Sequence, residues 1–175
     1  MTKYKLYYFN FRSRGEVARQ LFALAGEPFE DIRVDHRDWP ALKGGFAGTT
    51  LYEQAVVDSV ADQYGDFLNI VQPFFSTLGG FQEGSWEELL VSLVRPARET
   101  FFAMMAKFLE KSPSGFLVGE TVTYADLLLA EHVSTMKTYD PYYTRDWPEI
   151  QNHWSKVRAI PNLSRWIDER PDSVF

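Results

Sequence analysis

The stretch from Tyr4 to Gly26 constrains the fold most, because it predicts a strand, a polar turn and a helix in succession. Tyr4–Phe9 is rich in aromatic residues, which favour a half-buried strand. Ser13–Glu16 matches the capping-box pattern, which begins a helix. Gly26 is placed to close that helix. A polar loop therefore lies between a strand end and a helix N-terminus, where exposed N–H groups favour an anion or a carboxylate.

Two side chains beside this loop suit an acidic ligand. Tyr8 lies near the C-terminal end of the strand, where its hydroxyl can donate a hydrogen bond to an anion. Arg14 falls in the first helical turn, where the helix dipole disfavours a cation, and a residue placed against that preference indicates a ligand. On pattern alone, Tyr8 also fits a core aromatic residue and Arg14 a solvated surface residue.

The rest of the chain predicts one more strand and then only helices. Phe29–Val34 is expected to be the second strand, and helical spacing of apolar residues begins near Leu51. The expected helices cover about 51–75, Trp86–Lys111 with a kink at Pro96, a segment that begins with a capping box at Thr123–Asp126, and the short stretches 149–158 and 162–168. The fold class is therefore α+β, with a small βαβ domain over residues 1–44 and an all-helical domain over residues 51–175.

The composition excludes several kinds of protein. The chain has no cysteine, so it can form no disulfide, and any thiol chemistry must use a thiol that a substrate brings. The absence of cysteine suits a cytoplasmic protein. No apolar run reaches 18 residues and the N-terminus has no signal-peptide core, so we expect no membrane insertion. A net charge of −6 without a basic stripe argues against nucleic-acid binding.

The chain resembles the sigma-class glutathione transferases, which include nematode enzymes and the glutathione-dependent prostaglandin D synthases. The motifs that carry the resemblance are Tyr4-Lys5-Leu6-x-Tyr8-Phe9, Arg12, Arg14, Glu16, Phe29-Glu30-Asp31, Asp38-Trp39-Pro40, Lys43 and Gly119-x-x-x-Thr123-x-Ala125-Asp126. The resemblance implies a thioredoxin-like N-terminal domain that binds glutathione as co-substrate, an all-helical C-terminal domain and a cytoplasmic homodimer.

The same resemblance implies roles for five residues. Tyr8 would be catalytic: its hydroxyl would donate a hydrogen bond to the glutathione sulfur and so favour the nucleophilic thiolate. Arg14, Trp39 and Lys43 would bind glutathione in the same subunit, and Asp66 would reach the glutathione amine from the partner subunit. The alternatives are a loop Trp39 that covers the core and an Asp66 that is one of several solvated helix acids.

The implied function is conjugation of the glutathione thiolate to small hydrophobic electrophiles, with peroxidase or prostaglandin isomerase activity as further family activities. An electrophile pocket could be lined by some of Phe67, Leu68, Phe74, Phe75, Met104 and Met105, although more of them are expected in the core or an interface. No metal site is expected, because Gly65 stands where the related prostaglandin synthases have the first of two metal-binding acids. His36, His132 and His153 lack ligand spacing and are expected to be ordinary surface or core residues.

The resemblance breaks between Lys43 and about Ala47. An antiparallel strand pair and a helix, about 30 residues in the family, have no counterpart here, and neither does the family's Gln-Ser pair that binds glutathione. Either the polypeptide contains a segment that this sequence omits, or the deletion is real, as in a splice product. We favour the first, because a half-domain without its central strands would expose edges that aggregate. The real deletion motivates the alternative of a non-catalytic ligand-binding or vestigial family member. A helical interaction module made of residues 51–175 alone is a third possibility.

Overall fold

The structure, a computed structural model, describes residues 4–9, 19–20, 22–35 and 46–169. The chain divides into two compact units, Met1–Gly45 and Phe46–Phe175. The described part of the first contains a small parallel sheet and helical residues, and the described part of the second is helical. The prediction of an α+β chain is confirmed.

Both predicted strands are present with the predicted bounds. Strand β1 covers Tyr4–Phe9 and strand β2 covers Phe29–Val34, and they pair in parallel from Tyr4 opposite Phe29 to Phe9 opposite Val34. A parallel pair needs a crossover connection, and residues 19–20 and 22–25 within it are helical (α1). In the described residues the sheet has only these two strands. Such a small sheet needs further packing to be stable by itself.

Gly26 ends α1 as predicted. Its φ of 65° is in the left-handed region that glycine adopts without strain. The Gly26 N–H donates to the Ala23 carbonyl and the Glu27 N–H donates to the Phe22 carbonyl, which is the Schellman pattern. This closing turn places the Phe22 ring 4.7 Å from the Phe29 ring at the start of β2.

The first helix of the second unit is longer than predicted. Helix α2 covers Leu51–Leu78, three residues beyond the expected end near residue 75, and begins with a capping box between Thr50 and Glu53. The extension follows from burial, because Phe74 and Thr77 lie on the same buried face as the preceding turns. None of the described helices is both long and apolar enough to cross a membrane.

The prediction of a single helix over Trp86–Lys111 is wrong in detail. The structure has α3 at Trp86–Leu89, a π-helical turn at Leu90–Val94 and α4 at Arg95–Glu110. Pro96 has no backbone N–H and so cannot donate a hydrogen bond into the preceding turn. It occupies one of the first two positions of α4, where an α-helix needs no N–H donor. The expected kink at Pro96 therefore takes the form of a widened turn just before it, in which the Arg95 N–H donates to the Leu90 carbonyl.

The remaining helices follow the prediction within a residue or two. Helix α5 covers Tyr124–Tyr139 and begins with the predicted capping box of Thr123 and Asp126. Helices α6 and α7 cover Pro148–Arg158 and Pro161–Glu169. The core of the second unit lies where α2, α4, α5 and α6 pack together. Its fully buried side chains include Val57, Val71, Phe74, Phe102, Met105, Leu129, Met136 and Ile150.

The turns between α5 and α6 are held against α4 by two arginines. The Arg95 Nη2 donates to the Asp140 Oδ2 at 3.0 Å, and the Arg98 Nη1 donates to the Tyr143 carbonyl at 2.8 Å. These bonds place Tyr143 in the core, where its side chain is fully buried. Its hydroxyl lies 3.0 Å from the Nε2 of His132 on α5.

Candidate functional site

Tyr8, the predicted catalytic residue, lies half-buried near the C-terminal end of β1. It stands opposite Arg33 in the parallel register. The guanidinium carbon of Arg19, on α1, lies 5.8 Å from the centre of the Tyr8 ring, within the range of a cation–π contact. The first unit therefore places a phenol, which can donate a hydrogen bond, beside a buried cation.

Arg19 is held in place by Asp31, on β2. The Arg19 Nε lies 3.0 Å from the Asp31 Oδ1, and the Arg33 Nε lies 2.6 Å from the Asp31 Oδ2. Burial raises the pKa of Asp31, but the hydrogen bonds from the two arginines outweigh it and hold the pKa below its usual range. Sequence reasoning missed Arg19, since its partner is 12 positions away and no local pattern connects them.

The other predicted glutathione-binding residues are only partly described. Arg14, Trp39 and Lys43 lie outside the described residues, as does His36. Asp66 is exposed on α2. In the described ranges no group of three or more His, Asp or Glu side chains is arranged to hold a metal ion.

An apolar groove runs between α2 and α5 in the second unit, and we call it the α2–α5 groove. Its volume is about 620 Å³, and its walls include Leu68 and Phe75 of α2 and Leu128 and His132 of α5. Tyr64 also lines it, and burial raises the pKa of that phenol to about 12. A space of this size, apolar with a few polar side chains, is typical of a small-molecule site.

The expected electrophile pocket is thus divided among three places. Leu68 and Phe75 line the α2–α5 groove. Met104 and Met105 line another groove of about 830 Å³, formed by α2, α4 and the segment that follows α4. Phe67 and Phe74 are almost wholly buried, at 2% and 0% exposure, and belong to the core.

His132 and His153 are core residues, as expected. The His153 Nε2 lies 2.8 Å from the Asp126 Oδ1, and both side chains are essentially buried. Asp126 also accepts hydrogen bonds from the N–H groups of Leu117 and Thr123 and from the Thr123 hydroxyl. These bonds give Asp126 a structural role, since they join the start of α5 to the preceding segment and to α6.

Comparisons with known proteins agree with this architecture. Residues 69–170 match the family model described as glutathione S-transferase, C-terminal domain. Probable glutathione S-transferase 5 of Caenorhabditis elegans is 36% identical over an alignment of 208 residues, which covers 100% of both chains. Glutathione S-transferase 1 of Ascaris suum is 35% identical over 206 residues, and this match also covers 100% of both chains.

A solved structure gives the same result. The crystal structure of monomeric Na-GST-3, a glutathione S-transferase from the human hookworm Necator americanus, is similar with a TM-score of 0.74. The sequence identity is 40%, and the match covers 98% of this chain and 99% of that one. The helical unit, the two parallel strands and the full-length matches lead to one conclusion: the chain belongs to the glutathione S-transferase family.

Proposed function

We propose that this protein conjugates the thiolate of glutathione to small hydrophobic electrophiles. The observation that carries the proposal is the full-length similarity to glutathione S-transferases at 36% identity. The position of Tyr8 near the end of β1, beside Arg19, supports it, because a phenol there can donate a hydrogen bond to a sulfur anion.

In this proposal Tyr8 stabilises the thiolate, and the other predicted residues hold glutathione. A hydrogen bond to the charged form of the thiol lowers its pKa and so raises the fraction of nucleophile. Arg14, Trp39 and Lys43 would bind the tripeptide in the same subunit. Asp66 would pair with the glutathione amine bound to the other subunit, and its exposure on α2 leaves the carboxylate available for that contact.

The α2–α5 groove is our proposed site for the electrophile. Its leucine and phenylalanine side chains favour an apolar substrate, since burial of apolar surface is the main source of affinity in such a space. Reduction of lipid hydroperoxides and prostaglandin isomerisation are further proposed activities, and they rest on the resemblance alone. We propose no metal requirement for any of these reactions.

We further propose a sigma-type enzyme that acts as a cytoplasmic homodimer. In this assignment residues 1–44 form the incomplete glutathione-binding domain and residues 51–175 the helical domain. Because a monomeric relative exists, the oligomeric state needs its own measurement. Light scattering coupled to gel filtration should give twice the chain mass, and a single-chain mass would remove the proposed role of Asp66.

A second candidate function is a non-catalytic ligand-binding or vestigial family member. It is favoured by the alignment of 208 residues with the C. elegans relative, which is 33 longer than the 175-residue chain. That difference supports a gap of about the expected size in the glutathione-binding domain. Retention on a glutathione column separates the two candidates, because a folded protein that fails to bind would favour the second.

The intact mass of the purified polypeptide tests whether the gap is real. A mass of 20.3 kDa corresponds to the 175 residues and would mean that the segment is absent. A mass several kilodaltons higher would mean that the polypeptide contains the segment, and catalysis would then be the favoured candidate.

Replacement of Tyr8 by Phe tests the catalytic assignment. Loss of one hydrogen bond to a charged group corresponds to about 1.5–3 kcal/mol, so kcat/KM with 1-chloro-2,4-dinitrobenzene should fall about 10- to 100-fold. The pH–rate profile should shift to higher pH, because the thiol pKa rises. Tyr7→Phe is the matched control, since Tyr7 is the adjacent phenol on the other face of β1 and is 44% exposed. Equal activity of Tyr8→Phe and Tyr7→Phe would refute the assignment.

A further inference from the structure

His132 is a buried polar residue on the wall of the α2–α5 groove. Its side chain is 3% exposed, and its ring makes edge contacts with Tyr64 and Phe67 at centroid distances of 5.6 and 5.0 Å. Burial lowers the pKa of His132 to about 3, so the imidazole is neutral at physiological pH. A neutral imidazole has one N–H donor and one acceptor nitrogen, and the partner of one nitrogen decides where the proton lies.

Tyr143 is that partner. Its hydroxyl lies 3.0 Å from the His132 Nε2, and its side chain is fully buried. Burial raises the pKa of Tyr143, so the hydroxyl keeps its proton. Within the part of the chain that the structure describes, His132 is the only hydrogen-bond partner of this hydroxyl.

The direction of this hydrogen bond follows from the buried proton. If the imidazole donated, the Tyr143 proton would be buried without an acceptor, which costs free energy. The hydroxyl therefore donates to Nε2, and the imidazole proton lies on Nδ1. In the described ranges Nδ1 makes no hydrogen bond, so an N–H donor is left over on a side chain that lines the groove.

We propose that the Nδ1–H group of His132 selects uncharged electrophiles that carry a hydrogen-bond acceptor, such as a conjugated ketone, beside an apolar body. The inference rests on the proposed conjugating function and adds the substrate class. Charge supports it, because the described residues that line the groove include the carboxylate of Glu131 and no Lys or Arg. An anionic electrophile would be repelled there, and a purely hydrocarbon one would leave the donor unpaired.

The test compares two electrophiles in variants that keep the core intact. The electrophiles are trans-4-phenyl-3-buten-2-one, which has a carbonyl acceptor, and benzyl chloride, which has none. The double variant His132→Leu/Tyr143→Phe removes the donor and the buried hydroxyl together, so that no polar group is orphaned. The wild type is the reference, because Tyr143→Phe alone would remove the hydroxyl that fixes the imidazole proton on Nδ1.

The measured quantity is the ratio of kcat/KM for the ketone to that for benzyl chloride. Loss of one neutral hydrogen bond should lower this ratio about fivefold in the double variant relative to the wild type. Equal ratios in the double variant and the wild type would overturn the inference. Tyr64→Phe, which removes another hydroxyl of the same groove, should not lower the ratio, and a fivefold fall there would assign the selection to Tyr64 instead.

A binding experiment without glutathione separates this inference from the proposed function. The unreactive probes are 4-phenyl-2-butanone and butylbenzene, titrated into the protein and followed by NMR chemical shifts. The affinity for the ketone relative to the hydrocarbon should fall about fivefold in the double variant. If no conjugation occurs but this fall is observed, the proposed function fails and the inference holds. An unchanged relative affinity overturns the inference, whether or not conjugation occurs.

Discussion

Replacement of Asp126 by Asn should strongly destabilise the helical unit, although the two side chains have nearly the same shape. The carboxylate is fully buried and accepts hydrogen bonds from three residues. Its Oδ1 is bonded by the Leu117 N–H at 2.7 Å and the His153 Nε2 at 2.8 Å. Its Oδ2 is bonded by the Thr123 N–H at 2.7 Å and the Thr123 hydroxyl at 2.8 Å.

The magnitude follows from which of these donors loses its acceptor. Asn has one oxygen and one NH₂ group, so in either orientation the NH₂ group faces a backbone N–H, that of Leu117 or that of Thr123. The orientation with the lower free-energy cost points the NH₂ group towards Thr123, because the Thr123 hydroxyl can rotate and accept a hydrogen bond from it. One buried N–H without an acceptor costs about 2 kcal/mol, and the bonds that remain are no longer charge-assisted. We expect a total loss of about 3 kcal/mol, which lowers the Tm by about 6–12 °C for a chain of this size.

The assay is urea unfolding followed by tryptophan fluorescence, with calorimetry for the Tm. Of the tryptophans in this unit, Trp86, Trp147 and Trp154 pack against its core and report on its packing. Asp146→Asn is the control, since it makes the same chemical change at an exposed turn residue and should shift the Tm by less than 2 °C. A Tm for Asp126→Asn within 2 °C of the wild type would refute the reasoning.

Two further predictions concern the same unit. Thr123→Ala should lower the free energy of unfolding by about 1 kcal/mol, through loss of the N-cap of α5, and an unaltered denaturation midpoint would contradict the capping role. His132 should make stability depend on pH, because its pKa is about 3 when folded and about 6.5 when unfolded. Between these values the unfolded chain binds a proton that the folded chain does not, so stability falls as pH falls, by about 2 kcal/mol at pH 5. The double variant His132→Leu/Tyr143→Phe should lose less stability between pH 7 and pH 5 than the wild type, and parallel losses would contradict the buried neutral ring.

Local signals accounted for most of the elements that could be predicted. The aromatic strand Tyr4–Phe9, the closing Gly26 and the capping box at Thr123 each depend on residues within a few positions, so the sequence specifies them without tertiary context. The π-helical turn before Pro96 could not be predicted in the same way. A proline indicates that the helix is distorted near it. The form of the distortion depends on which neighbouring side chains must stay buried, here Leu90 and Val94.

The site was less predictable because its contacts join distant positions. The Arg19–Asp31 pair spans 12 residues, and the His132–Tyr143 bond in the wall of the groove spans 11. Helical spacing did identify an apolar face on α2. It could not decide between neighbours, since Phe74 is buried in the core while Phe75 lines the groove, and the difference depends on what packs against each.

The two described histidines show what a missing ligand pattern does and does not exclude. Spacing argues against chelation of a metal, since that needs several side chains around one point. It says nothing about a single hydrogen-bond donor, for which one nitrogen is enough. His153 bonds the buried Asp126 through Nε2 and so donates to a carboxylate. His132 bonds Tyr143 through Nε2, but its ring also lines the α2–α5 groove. The same residue type, buried to the same degree, thus stabilises the core in one place and leaves a donor for a ligand in the other, and the group bonded to Nε2, a carboxylate or a hydroxyl, distinguishes them.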